Sequence, residues 1–249
     1  MTIFWALLRR ELGTFFFSWT GYAIIAAVTF LIGGSFAVVI RNLGSDPSPM
    51  PVTELFYGTY FFWLIVLLAA PVITMRLFAL EKASGTFETL MTTQVSDAQV
   101  VAAKFLGALI FYMVAWLPLL ACLFLVRHFT NQGGLDGGTV GGMFLGIFLV
   151  GSLFLSLGCF ASSLTRSQMT AVMVSFVLGT SLFSLGFVAL VLPAQVDWQS
   201  QVLSHFNLFD QMHDFARGVV DTRTVIFYVS TTLLFLFLTL RVVESRRWK

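Results

Sequence analysis

Six stretches of 17 to 23 residues carry no Asp, Glu, Lys, Arg or His, at about 20–40, 57–75, 105–126, 140–162, 170–192 and 224–240. A helix needs about 20 predominantly apolar residues to cross the hydrocarbon core of a bilayer. A charge at mid-bilayer costs at least ~3 kcal/mol, so a lipid solvent demands the pattern these windows show. A soluble fold is excluded by composition: 58% of the 249 residues are hydrophobic and 10% are charged, against about 25% charged in a soluble domain. The expectation is an all-α polytopic membrane protein with six transmembrane helices, forming one domain over residues 1–249.

Lys and Arg set the orientation, because they stay preferentially on the cytoplasmic side. With the N-terminus inside, Arg9, Arg10, Arg76, Lys82, Lys104, Arg166, Arg241, Arg246, Arg247 and Lys249 are cytoplasmic, and Arg41, Arg127, Arg217 and Arg223 are external. Ten against four favours cytoplasmic N- and C-termini. The net charge of +2 gives no basis for a nucleic-acid partner. Cys122 and Cys159 both lie inside spans and read as apolar packing residues.

Ahead of the first span, Phe4, Trp5, Leu8, Leu12, Phe15, Phe16 and Trp19 fall on one arc of roughly 120° at about 100° per residue, which predicts an amphipathic helix in the membrane interface. A simple extension of the first span is the alternative. The uncharged run Leu12–Ile40 is 29 residues, too long for a signal-peptide core of about 7 to 15, so it reads as a retained helix.

The first external loop, Arg41 to Phe56, carries Pro47, Pro49 and Pro51 and is expected to be extended and non-helical. Leu164 to Gln168 is a tight turn. In the external segment Pro193 to Arg223, Val202, Phe206, Phe209, Met212, Phe215, Ala216 and Val219 would line one side of a helix opposite Asn207, Asp210, Gln211, Asp214 and Arg217. That pattern suggests a helix resting on, or re-entering, the outer leaflet; an ordinary ordered loop is the alternative. In the fourth span Gly138, Gly142 and Gly146 recur every four residues, with Gly137 and Gly141 as a second pair. Small residues at this spacing let helix backbones approach closely, either within the chain or at a subunit seam. Pro71 and Pro118 should kink their helices or free a carbonyl.

No catalytic or metal-ligating set is legible. His128, His205 and His213 lie outside the spans, no Asp lies within one, and H-E-x-x-H is absent. A secondary transporter usually places an ionisable group near the midplane, and none occurs here. The largest cytoplasmic loop, Arg76 to Lys104, is the informative one. Phe87, Leu90 and Met91 at i, i+3 and i+4 predict a short helix after Gly85 with an apolar face flanked by Thr86, Glu88 and Thr92. Glu81 and Lys82 mark where the second span emerges. Ser96 and Gln99 form a capping box for the helix running into the third span.

The run Pro71, Thr74, Met75, Arg76, Phe78, Glu81, Gly85, Thr86, Glu88, Leu90 and Val95 resembles the second-span and coupling-loop signature of type-2 ABC-transporter permeases. FASSLTRSQ (Phe160 to Gln168) and the segment Phe215 to Leu240 resemble the subgroup attached to gliding motility and copper-site maturation. The resemblance implies a transmembrane permease in the cytoplasmic (inner) membrane, with a coupling helix at Glu81, Gly85, Thr86, Phe87, Glu88, Leu90 and Met91, and an external re-entrant segment between spans five and six. It also implies two partners: a cytoplasmic ABC ATPase, which binds the ATP and Mg, and a second permease subunit, identical or paralogous. This chain has no G-x-x-x-x-G-K-[ST] phosphate loop of its own, and no cofactor is expected on it. A non-transporting membrane scaffold for an assembly complex is the rival expectation.

Overall fold

A computed structural model describes residues 2–45, 52–86, 95–130, 137–191 and 207–245, and the regular structure among them is helical throughout. α1 (Thr2–Phe16) is parted from α2 (Trp19–Ser45) by an elbow at Phe17 and Ser18. There the amides of Gly21 and Tyr22 donate to the Ser18 carbonyl at 3.0 and 3.2 Å. Gly21 is required at this elbow, because a Cβ on it would overlap the Phe15 carbonyl oxygen. The N-terminal segment is thus a separate helix, not an extension of the first span.

The second span is assembled from short pieces. α3 (Val52–Tyr57) leads into α4 (Tyr60–Thr74), and α5 (Ala79–Ser84) follows a turn at Met75–Phe78. The expectation of a non-helical segment from Arg41 to Phe56 is corrected at both ends, since α2 runs on to Ser45 and α3 is helical from Val52. Alternating prolines forbid a helix only where their missing N–H would be used. A helix can start directly after a proline, because first-turn amides have no intrahelical partner. Pro71 lies inside α4, which ends one turn later with the Met75 amide donating to the Pro71 carbonyl at 2.9 Å.

The third span begins at α6 (Asp97–Ala115), where the Ser96 hydroxyl accepts the Gln99 amide at 3.4 Å as the capping signal anticipates. It breaks at Trp116, and α7 (Leu117–Thr130) continues it. Pro118 accounts for the break, since it has no N–H and its ring crowds the carbonyl four residues back. The Trp116 amide closes onto the Met113 carbonyl at 3.2 Å instead. α8 (Gly137–Leu164) and α9 (Gln168–Val191) are joined by a three-residue turn. α10 (Leu208–Ala216) is a short helix between the fifth and sixth spans, and α11 (Thr222–Ser245) is the sixth span.

Six of these segments are long and apolar enough to cross a membrane: Trp19–Arg41, Tyr60–Ser84, Asp97–Leu125, Gly137–Leu164, Gln168–Gly186 and Thr222–Ser245. α8 is the hub, with 78% of its apolar window buried, and it packs on α4, α6, α9, α10 and α11. α11 is at the periphery, with 17% buried. In lipid, association rests on close packing rather than hydrophobicity, and α8 supplies glycines for it. Gly151 lies against the Tyr112 ring and Gly158 against Thr74, each where a Cβ would overlap its neighbour.

Candidate functional site

The lower end of α4 and α5 is bonded to four other parts of the chain. Lys104 on α6 is 2% exposed, and its Nζ lies 3.1 Å from Glu11 Oε1 on α1 and 2.9 Å from Glu81 Oε1 on α5. Arg10 Nη2 reaches the same two carboxylates at 2.9 and 3.1 Å. Two cations and two carboxylates are compensated together, which lets this charge be buried at all. Arg76 donates to the Ser18 hydroxyl at 3.2 Å, and also to Thr20, tying the turn after α4 to the α1–α2 elbow. The Ser162 hydroxyl on α8 accepts the amides of Phe78 and Ala79 at 3.2 and 3.1 Å. Lys82 donates to the Ser163 carbonyl.

α1 reaches this junction by presenting Leu8, Glu11 and Phe15 to α6, with the Phe15 ring stacked on Phe111 at 4.9 Å. The apolar arc expected to face the membrane is therefore divided. Leu8 and Phe15 are buried in protein, whereas Trp5 is 65% and Trp19 91% exposed. Gly107 on α6 makes the approach possible, since a Cβ there would lie 3.1 Å from Glu11 Cβ.

Of the coupling residues expected from sequence, the structure joins Glu81 to the ion cluster and ends α5 at Gly85, whose φ of 74° lies in the left-handed region. Thr86 and Ser84 share a hydroxyl hydrogen bond of 2.8 Å. Phe87, Glu88, Leu90 and Met91 lie outside the described residues. Glu11 and Lys104 were not singled out by sequence. The available signal was one acidic residue at the border of the apolar arc of α1, and one lysine just ahead of the third span.

A second polar cluster lies at the opposite end, where the α10 turn meets α3. Glu54 is 6% exposed and receives Arg217 Nη2 at 3.0 Å and Nε at 3.3 Å, with His213 Nε2 at 2.5 Å. The hydrogen bond from Arg217 pulls the Glu54 carboxyl below its ordinary pKa, against the upward push of burial, and the charges of His213 and Arg217 add to the lowering. The Thr53 hydroxyl donates to the Ala216 carbonyl at 2.9 Å, and the Tyr57 hydroxyl to the Met143 carbonyl at 3.0 Å. α10 buries Leu208, Met212, Phe215 and Ala216 and leaves Asp210 and Asp214 exposed, so the anticipated two-sided pattern holds over this shorter helix. Val202 and Phe206 lie outside the described residues. Gly142 and Gly146 lie against α10, since Cβ atoms there would meet the Phe215 carbonyl oxygen at 2.7 Å and the Phe215 side chain at 3.1 Å. Gly218, with φ of 79°, ends α10 against the backbone of Gly138 and Thr139.

A chain with six helices long and apolar enough to cross a bilayer, and with its buried ion clusters at the two ends of the bundle, is a multi-pass membrane protein. A family model described as ABC-2 family transporter protein matches residues 42–242, and the chain belongs to that family, as the permease component of an ABC transporter. No curated protein matches it at a significant level.

Proposed function

We propose that this chain is one of two permease subunits of an ATP-driven exporter in the cytoplasmic (inner) membrane, with both termini cytoplasmic. A separate ABC ATPase binds ATP and Mg, and its closure pushes the coupling segment Glu81 to Met91. The observation that carries this reading is the junction at Glu81. The root of the coupling segment is bonded through Lys104 to α6, through Arg10 to α1, and through Ser162 and Lys82 to α8. A push on α5 is thereby delivered to several spans together, as a rigid-body tilt of a bundle requires. Alternating access between the two sides follows from that tilt. The resemblance of Phe160–Gln168 and Phe215–Leu240 supports a place in the gliding-motility and copper-site-maturation subgroup.

The test is co-purification from native membranes in mild detergent, with the unaltered chain and with Leu90→Asp. The unaltered chain should bring down an ATPase, and Leu90→Asp should lose it or leave its hydrolysis uncoupled from substrate. Removing a buried apolar anchor from an interface typically costs ~2 kcal/mol or more. Full retention of a normally stimulated ATPase by Leu90→Asp would move the non-transporting scaffold ahead of the exporter.

A further inference from the structure

At the α10 end, a cavity of about 480 Å³ opens between α2, the α3–α4 turn and α10, within the ~300–1,000 Å³ typical of small-molecule sites. Two carboxylates, Glu54 and Asp210, and one imidazole, His213, line it, with His213 Nε2 2.5 Å from Glu54 Oε1, and among its described lining residues there is no Lys or Arg. Its wall carries Trp63 and Phe209 with ring centroids 4.6 Å apart. Phe183 completes a triangle behind them, 4.9 Å from Trp63 and 5.1 Å from Phe209. Trp63 is 5% exposed, and its indole N–H has no acceptor.

We propose that this cavity binds an amphiphile with an ammonium head, and that such a molecule is the cargo or a cargo headgroup of the exporter proposed above. Three features fix the class. Asp210, a lining carboxylate outside the Glu54–His213–Arg217 cluster, disfavours an anion and attracts a cation. Aromatic faces attract a desolvated ammonium through the ring quadrupole, most strongly at Trp. The apolar wall of Val39, Leu55 and Met212 takes an aliphatic body. Exposed Asp210 draws the cation in, and Glu54 Oε2 receives it in exchange for Arg217, while His213 stays on Oε1. Arg217 is 51% exposed and can hydrate when it leaves, whereas Glu54 at 6% cannot. Binding would therefore loosen the tie between α3 and α10.

The inference rests on the exporter reading only for its role, because binding is measured on the purified permease alone. Octylamine and octyltrimethylammonium are titrated calorimetrically against the protein in maltoside detergent, beside octanol and octanoate. Both ammonium probes should bind saturably, at least about tenfold tighter than octanol or octanoate, a difference of about 1.4 kcal/mol. Asp210→Asn and Phe209→Leu should each weaken ammonium binding several-fold and leave octanol unchanged. Asp210 is exposed, and an asparagine oxygen there can still accept the Asn207 side-chain amide, so Asp210→Asn keeps the fold. Equal binding of octanol, tighter binding of octanoate, or unaltered ammonium affinity in both variants overturns the proposal. Ammonium binding by a permease that recruits no ATPase would refute the exporter reading and leave the site standing.

Discussion

Two adjacent glycines of α8 offer an internally controlled measurement. Gly142 faces backbone: a Cβ there would lie 2.7 Å from the Phe215 carbonyl oxygen and 3.0 Å from Gly218 Cα. Gly141, one residue away, has nothing within 4 Å. Alanine gains up to about 1 kcal/mol of helix propensity over glycine at either position, so the difference between the two variants isolates the steric term. At Gly142 the shortfall from ordinary contact is roughly 0.7 Å, and the obstructing atoms are main chain, held by Gly218 in its left-handed turn; overpacking of this kind costs ~1–3 kcal/mol. With about 2–4 °C lost per kcal/mol for a chain of this size, Gly142→Ala should melt roughly 2–12 °C below Gly141→Ala in detergent, followed by intrinsic tryptophan fluorescence. Gly142→Leu should go further and lower the folded yield. If Gly142→Ala and Gly141→Ala melt together, the contact between α8 and the α10 turn is not what the coordinates describe, and the reasoning fails.

Lys104→Met leaves Glu11 and Glu81 facing each other without their buried cation, and should destabilise the chain by ~3–5 kcal/mol; adding Glu11→Gln should recover part of the loss, and wild-type melting of the single variant would refute the junction. Gly85→Val forces a β-branched residue to a φ of 74°, at about 1–3 kcal/mol, and should impair coupled ATP hydrolysis more than membrane insertion. Glu54 has a depressed folded-state pKa, so its contribution is fully present above the ordinary carboxylate value of 4.5 and is lost as pH falls through the depressed value. Acid unfolding in that window should be less steep in Glu54→Gln, and an unchanged acid limb would contradict it. Single cysteines at Ser84→Cys and Ser167→Cys, in a background lacking Cys122 and Cys159, should resist an impermeant label applied outside, and those at Gly134→Cys and Trp198→Cys should react.

The six spans were readable because lipid leaves few solutions: every backbone amide must be satisfied internally, so an uncharged stretch of the right length is a helix. The Ser96 cap and the Leu164–Gln168 turn were readable because their causes are local. The ion junctions were not. Lys104 and Glu11 are 93 residues apart, and Glu54 and Arg217 are 163 apart; no spacing rule joins residues across spans. The division of the α1 arc was illegible for a different reason. Hydrophobic periodicity marks a face turned from water, and in a membrane protein both lipid and a neighbouring helix qualify, so Phe15 and Trp19 look alike until α6 is in place. Glu11 was the discordant residue, an acid at the border of an apolar arc that only a buried lysine explains.

The central position of α8 bears on how the protein is made. Domains and helices emerge from the ribosome in order, N-terminal first, and the hub of this bundle is the fourth span to arrive. Until Gly137–Leu164 is synthesised, the first three spans lack the surface on which α4 and α6 pack. The Gly151 notch for Tyr112 and the Gly158 notch for Thr74 do not yet exist either. The charges of Arg10, Glu11, Glu81 and Lys104 already have one another, because all four precede α8, but α5 still lacks the Ser162 and Ser163 contacts that fix its place. A chain halted before α8 has entered the membrane should expose an intermediate that quality-control proteases recognise, and one halted after it should be protected at α4 and α6 while α8 still awaits α9 and α11.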